Sequence, residues 1–237
     1  MKTETSTLHL QTAWYWCEPE SGFKMIQRAI SRVYHLVDES NLSSIERDGL
    51  LCTSRLLEQA GVRGDECARL ERQQRRARTR LPDGVIIRDQ VPMPPGALSR
   101  CIVDGTTPGE WYALINSMVF FWIDPGRLAR QARACRPRPQ LMLELNARKL
   151  LDRHAERAFV TPFNVGNAMR RAALRGRASF VPLAAWMETG WAHESRELKI
   201  PMRAASHRPV ELAVLDAVPE IMDYVLSVRP ISFDGSI

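Results

Sequence analysis

The chain has 237 residues, 45% of them apolar and 25% charged, with 33 Lys+Arg against 27 Asp+Glu. At this length one core hides about 70–75% of the unfolded surface, so folding needs no disulfide or metal staple, and the apolar content excludes a disordered chain. No apolar run approaches the ~20 residues of a spanning helix, and the formal charge of +6 admits an anionic partner without identifying one.

Residues 1–30 read as an N-terminal extension, in which Trp14, Tyr15 and Trp16 are expected to pack onto the body and Phe23 to Ile30 to form a short helix. The start Met1-Lys2-Thr3-Glu4-Thr5-Ser6 lacks the pattern of a signal peptide. The domain proper is expected over 31–237. Its first strand is Arg32-Val33-Tyr34-His35-Leu36-Val37, rich in β-branched and aromatic types. Asp38 or Ser40 can cap a helix carrying Leu42 and Ile45, with Gly49 as its stop. Leu50 to Ser54 then leads into a second short helix with Ser54 as cap. Residues 63–80 hold seven arginines and little to bury, so a helix or ordered arm is expected there. A proline-rich loop covers 81–96. Thr107-Pro108-Gly109-Glu110 opens a helix to about Asn116, and Met118 to Ile123 is the clearest strand, ended by Asp124-Pro125-Gly126. Further strands are expected at Gln140–Leu145, Ala178–Val181, Val210–Leu215 and near Tyr224–Arg229. A helix is expected near 147–156 and a polar Gly/Asn/Arg-rich segment over 161–177. Strands and helices mix without regular alternation, which predicts an α+β fold with antiparallel sheets.

Several sites are absent. There is no GxxxxGK[ST], no GxGxxG after a strand and no GxSxG. His154-Ala155-Glu156 has the HxE half of a zinc deaminase signature without the PCxxC, so a solvated helix face is the plain reading of His154. Cys17, Cys52, Cys67, Cys101 and Cys135 are scattered and odd in number, as for reduced thiols in a cytoplasm. Histidines and cysteines nowhere reach metal-ligand spacing, and no metal site is expected.

Three segments remain. The first is Tyr34-His35-Leu36-Val37-Asp38-Glu39-Ser40-Asn41-Leu42-Ser43-Ser44-Ile45 with Gly49-Leu50. The second is the aromatic strand Val119-Phe120-Phe121-Trp122-Ile123-Asp124-Pro125. The third is Pro209-Val210-Glu211-Leu212-Ala213-Val214, an apolar strand with one carboxylate. Taken singly each has an ordinary structural reading: a strand-end histidine, a core strand, a solvent-facing glutamate. In this order they resemble the ADP-ribosyltransferase fold of the H–aromatic–E type, and most of all the DarT-like DNA ADP-ribosyltransferases of bacterial toxin–antitoxin systems, or a related uncharacterised bacterial family. The likeness spans roughly residues 32–226. It implies split antiparallel β-sheets with surrounding helices, NAD as substrate, and ADP-ribosyl transfer to a nucleic acid base. It also implies an antitoxin or immunity protein as partner, while the scattered cysteines and the lack of a spanning run lead to the expectation of a cytoplasmic protein with no membrane partner.

Cleavage of the nicotinamide bond develops oxocarbenium charge, which a fixed carboxylate stabilises. The resemblance assigns that part to Glu211. His35 is expected to bind the adenosine-side ribose, with Tyr34 and Leu36 offering backbone groups and Asn41 completing the first motif. Phe120 or Phe121 would stack on the cationic nicotinamide, alternation admitting only one. Arg55 is a candidate for the NAD pyrophosphate. The basic stretches 63–80 and 170–177 supply Arg72, Arg75, Arg76, Arg170, Arg171 and Arg175 as candidate contacts to single-stranded DNA or RNA, solvated faces being the alternative. A base acceptor has to be unstacked, so aromatic surface at Trp186 or Trp191 is expected near the pocket. Two further readings keep the fold: an NAD glycohydrolase toxin, and a non-catalytic module binding NAD or nucleic acid. A plain structural domain is the fourth.

Overall fold

In the computed structural model, residues 30–87, 93–167 and 172–231 are described. The expected extension, with Trp14, Tyr15, Trp16 and its helix, lies outside them except for Ile30, which is buried in the main core. Strand β1 covers Arg32–Asp38. Asp38 ends it by accepting the Ser40 N–H at 3.3 Å, which folds Glu39–Asn41 into a 3₁₀ turn. Helix α1, Leu42–Asp48, follows and stops at Gly49, whose φ is 80°. A Cβ at Gly49 would stand 2.3 Å from the Pro219 backbone, so both the conformation and the close approach demand glycine.

Strand β2 (Leu50–Leu51) leads into α2 (Thr53–Gln59), which starts one residue before the expected cap Ser54. The arginine-rich stretch forms α3 (Gly64–Arg72) and then an extended run to β3 (Thr79–Arg80). The helix does bury something: Leu70 is enclosed with Leu57, Val62, Leu81 and Ile87. Within the proline-rich loop, β4 (Ile86–Ile87) pairs with β3, and α4 (Pro95–Ser99) forms near its end. Helix α5 (Pro108–Asn116) carries the capping box that Thr107 and Glu110 announce, with Pro108 at its first position.

Strand β5 (Met118–Trp122) is followed by Asp124, whose carboxylate accepts the Gly126 N–H at 2.8 Å and opens α6 (Pro125–Ala134). Then come β6 (Gln140–Asn146), α7 (Ala147–His154) and β7 (Ala158–Thr161). The strand expected at Ala178–Val181 is instead a 3₁₀ turn at Arg177–Ser179 followed by a two-residue strand, β8 (Val181–Pro182). Helices α8 (Leu183–Thr189) and α9 (Ala192–Leu198) precede β9 (Glu211–Leu215), β10 (Ala217–Val218) and β11 (Val225–Pro230).

The α+β expectation holds: the main sheet has seven strands in the order β11-β6-β1-β5-β9-β7-β8, every neighbouring pair antiparallel. One face carries the largest apolar cluster, with Val33, Val37, Phe121, Leu143, Leu212 and Val214 under Leu150 and Leu151 of α7. On the other face the apolar residues fall into two separate clusters, one around Leu36, Trp122 and Leu128 and one around Met118, Trp111 and Phe180. The sheet is nearly divided at its centre. Strands β1 and β6 pair from Arg32 to Asp38, and β5 and β9 from Met118 to Trp122, but β1 meets β5 only at Tyr34 and Trp122. Beyond that point the two central strands part and open a cleft between them.

Candidate functional site

The cleft is lined from β1 by His35 to Asp38, from β5 by Met118 to Trp122, and from the head of β9 by Glu211. Where β1 and β5 separate, the ladder between them is lost and the Phe120 carbonyl needs another donor. His35 supplies it: Nδ1–H donates to that carbonyl at 2.6 Å, which leaves Nε2 as the acceptor in the neutral ring. The His35 ring also lies 5.7 Å from that of Phe121, tilted by 59°. The sheet therefore holds His35 at the fork by the same polar accounting that builds its strands.

Glu211 is the first residue of β9, opposite Trp122 on one side and Thr161 on the other. It is 5% exposed. Thr161 donates its hydroxyl to Oε2 at 3.0 Å, and the Val165 N–H donates to the same oxygen at 3.1 Å. Both bonds fall on Oε2. Burial pushes this carboxyl up to about 7, against the pull of the Val165 and Thr161 hydrogen bonds and of Arg127 and Arg175. The Val165 N–H is presented by a turn that Asn164 ties, its Oδ1 accepting from Gly166 N at 2.9 Å and Asn167 N at 3.0 Å. Thr161 and Val165 were not singled out from sequence. The signal was an Asn-x-Gly turn following a strand-end threonine.

The two phenylalanines are now separable. Phe121 is 0% exposed and belongs to the main core, so its ring has no face to offer. Phe120 is half-buried and packs beside Phe180, with ring centroids 6.2 Å apart. Leu36 lines the cleft but is itself buried. Tyr34 turns away toward Glu144, and burial with that carboxylate raises its phenol above the usual range. Glu144 is in turn held by Arg32, Arg229 and Ser227.

Two expected ligand contacts are engaged elsewhere. Asn41 donates Nδ2 to the Ile86 carbonyl at 2.7 Å and accepts the Ile86 N–H at 2.9 Å. Both ends of its amide thus imitate a strand partner for β4, and it lines the cleft as a structural clamp. Arg55 makes a fork with Asp216 at 2.6 and 3.0 Å and reaches Glu58 at 2.8 Å. Its charge is paired there, and Arg55 is not among the residues that line the cleft.

The arginines divide sharply by environment. Arg72 and Arg76 are exposed. Arg75 instead turns inward and lines the cleft, donating to the Leu70 carbonyl and, at 3.0 Å, to Asn116 Oδ1. Arg170 and Arg171 lie outside the described residues. Arg175 is 1% exposed, so the expectation of a nucleic-acid contact fails for it: no polyanion reaches a guanidinium enclosed by protein. Trp191 is likewise buried, donating Nε1–H to the His207 carbonyl at 2.8 Å, and Trp186 packs on the main core. Neither is among the residues that line the cleft. His154, expected on a solvated face, is 4% exposed and accepts from Arg157 at Nδ1, 2.8 Å away.

No group of three or more His, Cys, Asp or Glu side chains among the described residues could hold a metal ion. No helix there is long and apolar enough to cross a membrane. Comparison with curated proteins returns no match. A family model does match, over residues 31–225, beginning at β1 and taking in His35, Phe120 and Glu211. The chain belongs to the family it describes, DUF7002, a family of unknown function.

Proposed function

We propose that this protein is an NAD-dependent ADP-ribosyltransferase, with the cleft between β1 and β5 as its NAD site and Glu211 as its catalytic carboxylate. The observation that carries the reading is one buried carboxylate at the head of a strand, where two central strands part around a histidine. That arrangement agrees with the motif order that resembles the H–aromatic–E enzymes.

In this reading the C1′–N bond of the nicotinamide ribose breaks and nicotinamide leaves with the bonding pair. The acceptor attacks C1′ and gives up a proton. Oε2 of Glu211 is held by two donors, and Oε1, which accepts no hydrogen bond from the described residues, meets the ribose and its developing positive charge. Phe120 gives the cationic ring a face, and that cation favours the ionised form of Glu211. His35 binds on the adenosine side. Arg75 is the cation within the cleft that suits the pyrophosphate, in place of Arg55. For the acceptor we infer a nucleic acid, supported by the exposed Arg72 and Arg76 beside the cleft-lining Arg75. Its binding should weaken steeply with salt.

The test is NAD consumption by the purified protein, wild type against Glu211→Gln, with single-stranded DNA and RNA offered as acceptors. Loss of the carboxylate should lower turnover by about 10²–10³-fold. Equal turnover refutes the assignment. Nicotinamide release without label on any acceptor would identify a glycohydrolase instead.

A further inference from the structure

Arg175 is, after Trp111, the largest side chain fully enclosed among the described residues. A guanidinium stays charged in a protein, and an isolated buried charge is strongly disfavoured. No carboxylate of the described residues comes within ion-pair distance of it. Its partners are of another kind. Nε donates to the Ala173 carbonyl and Nη1 to the Val165 carbonyl, each at 3.2 Å. Its Cζ lies 4.6 Å from the Phe163 ring centre and 5.6 Å from that of Trp111. The main chain is anchored as well: Arg175 N–H donates to the Cys101 carbonyl at 2.9 Å, and Val103 N–H to the Arg175 carbonyl at 3.0 Å.

Phe163 carries a second cation. Arg203 lies 5.3 Å from its ring centre and is held by a fork to the buried Glu194 at 2.6 and 2.9 Å. The 161–167 segment is thus gripped through its aromatic residue and through Val165. Val165 is the link that matters. Arg175 holds its carbonyl, and its N–H is the one given to Glu211.

We propose that Arg175 is a positioning residue for Glu211: it pins Val165 with the N–H on Oε2, and it supplies a buried positive charge that favours the carboxylate. The charges acting on Glu211 are Arg175 and, from α6, Arg127; the neutral donors are Thr161 and Val165. Thr161 has one hydroxyl proton for two acceptors, Glu211 at 3.0 Å and the Phe163 carbonyl at 2.9 Å. It therefore cannot hold the carboxylate without giving up the loop, whereas Arg175 serves both at once. The proposal deepens the reading of Glu211 as the catalytic carboxylate and rests on that reading for its functional meaning.

The experiment is a pH titration of the Glu211 side-chain carbon by NMR, in the full chain without NAD, with the resonance assigned by Glu211→Gln. In Arg175→Met the midpoint should rise by about one pH unit or more, a tenfold fall in the ratio of ionised to protonated carboxyl at a given pH. In Arg175→Lys, which keeps the charge without the fork, the rise should be smaller. If Arg175→Met gives no cooperative melt, Phe163→Leu loosens the guanidinium and leaves both charges in place; its midpoint should also rise. A wild-type midpoint in folded Arg175→Met, or failing that in Phe163→Leu, overturns the proposal. Where NAD turnover is present, kcat of the variant should fall at pH 7 and recover at higher pH with KM unchanged. An absence of turnover in the wild type counts against the transferase reading only, since the titration needs no NAD.

Discussion

Replacing Glu211 by glutamine should stabilise the protein, and only above acidic pH. The carboxyl is raised from 4.5 to about 7 by burial at a site 5% exposed. The folded state therefore binds a proton that the unfolded state has released between those values. Stability from this group is complete below pH 4.5 and is lost as pH rises through about 7. The full loss amounts to about 3 kcal/mol, at roughly 1.4 kcal/mol per pH unit of displacement. Glutamine keeps a carbonyl oxygen for the Thr161 and Val165 donors and never ionises. Glu211→Gln should then exceed the wild type by about 3 kcal/mol at pH 8 and by less than about 1 kcal/mol at pH 5. For a chain of this size that is a gain of roughly 6–12 °C in Tm at pH 8. Thermal melts of both proteins across pH 5–8 measure it, and the difference between them cancels every other titrating group. A gap that does not grow with pH, or a glutamine variant less stable at pH 8, would show that the carboxyl is not held against ionisation. The same substitution is expected to lower turnover by about 10²–10³-fold, so gain and loss together would mark a residue kept for function against stability.

Gly49→Ala should lose about 3 kcal/mol or more, since a Cβ meets the Pro219 backbone at 2.3 Å and φ is 80°; urea unfolding reads this, and a wild-type midpoint would refute the close approach. Phe121→Ala should cost about 3–5 kcal/mol as a core truncation. Phe120→Ala should cost less and should raise KM for NAD, and equal effects on both quantities would undo the separation of the pair. Arg55→Ala should leave KM for NAD unchanged, because its fork is closed on Asp216; a raised KM would restore it to the pyrophosphate.

The parts of the fold that were legible share a physical cause. β1, β5 and β9 lie at the centre of the sheet, so they read as apolar runs, and their polar interruptions stand out because a buried polar group needs a reason. Glu211 is such a buried interruption and His35 a half-buried one, and both come to the same cleft. β7 was missed because Ala158–Thr161 is four residues long and has no pattern of its own; it is a strand because β9 pairs with it. α6, α8 and α9 were missed for a related reason. Their burial is set by neighbours distant in sequence, as when Leu128 packs against Leu36 and Trp122.

Charge was the least legible property, and the reason is geometric. Arg175 and Arg177 are two residues apart in one basic run, yet Arg175 is sealed under Phe163 while Arg177 reaches Glu110 at the surface. Asn41 and Arg55 matched a ligand-binding pattern and proved to be tied to Ile86 and Asp216. A sequence counts charges but does not name their partners, and the partner decides whether a cation recruits a ligand or holds a loop. The excess of +6 therefore overstates what the surface offers to a polyanion. Part of it lies inside, where Arg75 lines the cleft and Arg175 braces Glu211. On that division, salt should weaken nucleic-acid binding through Arg72 and Arg76 and leave the ionisation of Glu211 nearly untouched, because ions screen exposed charges far better than buried ones.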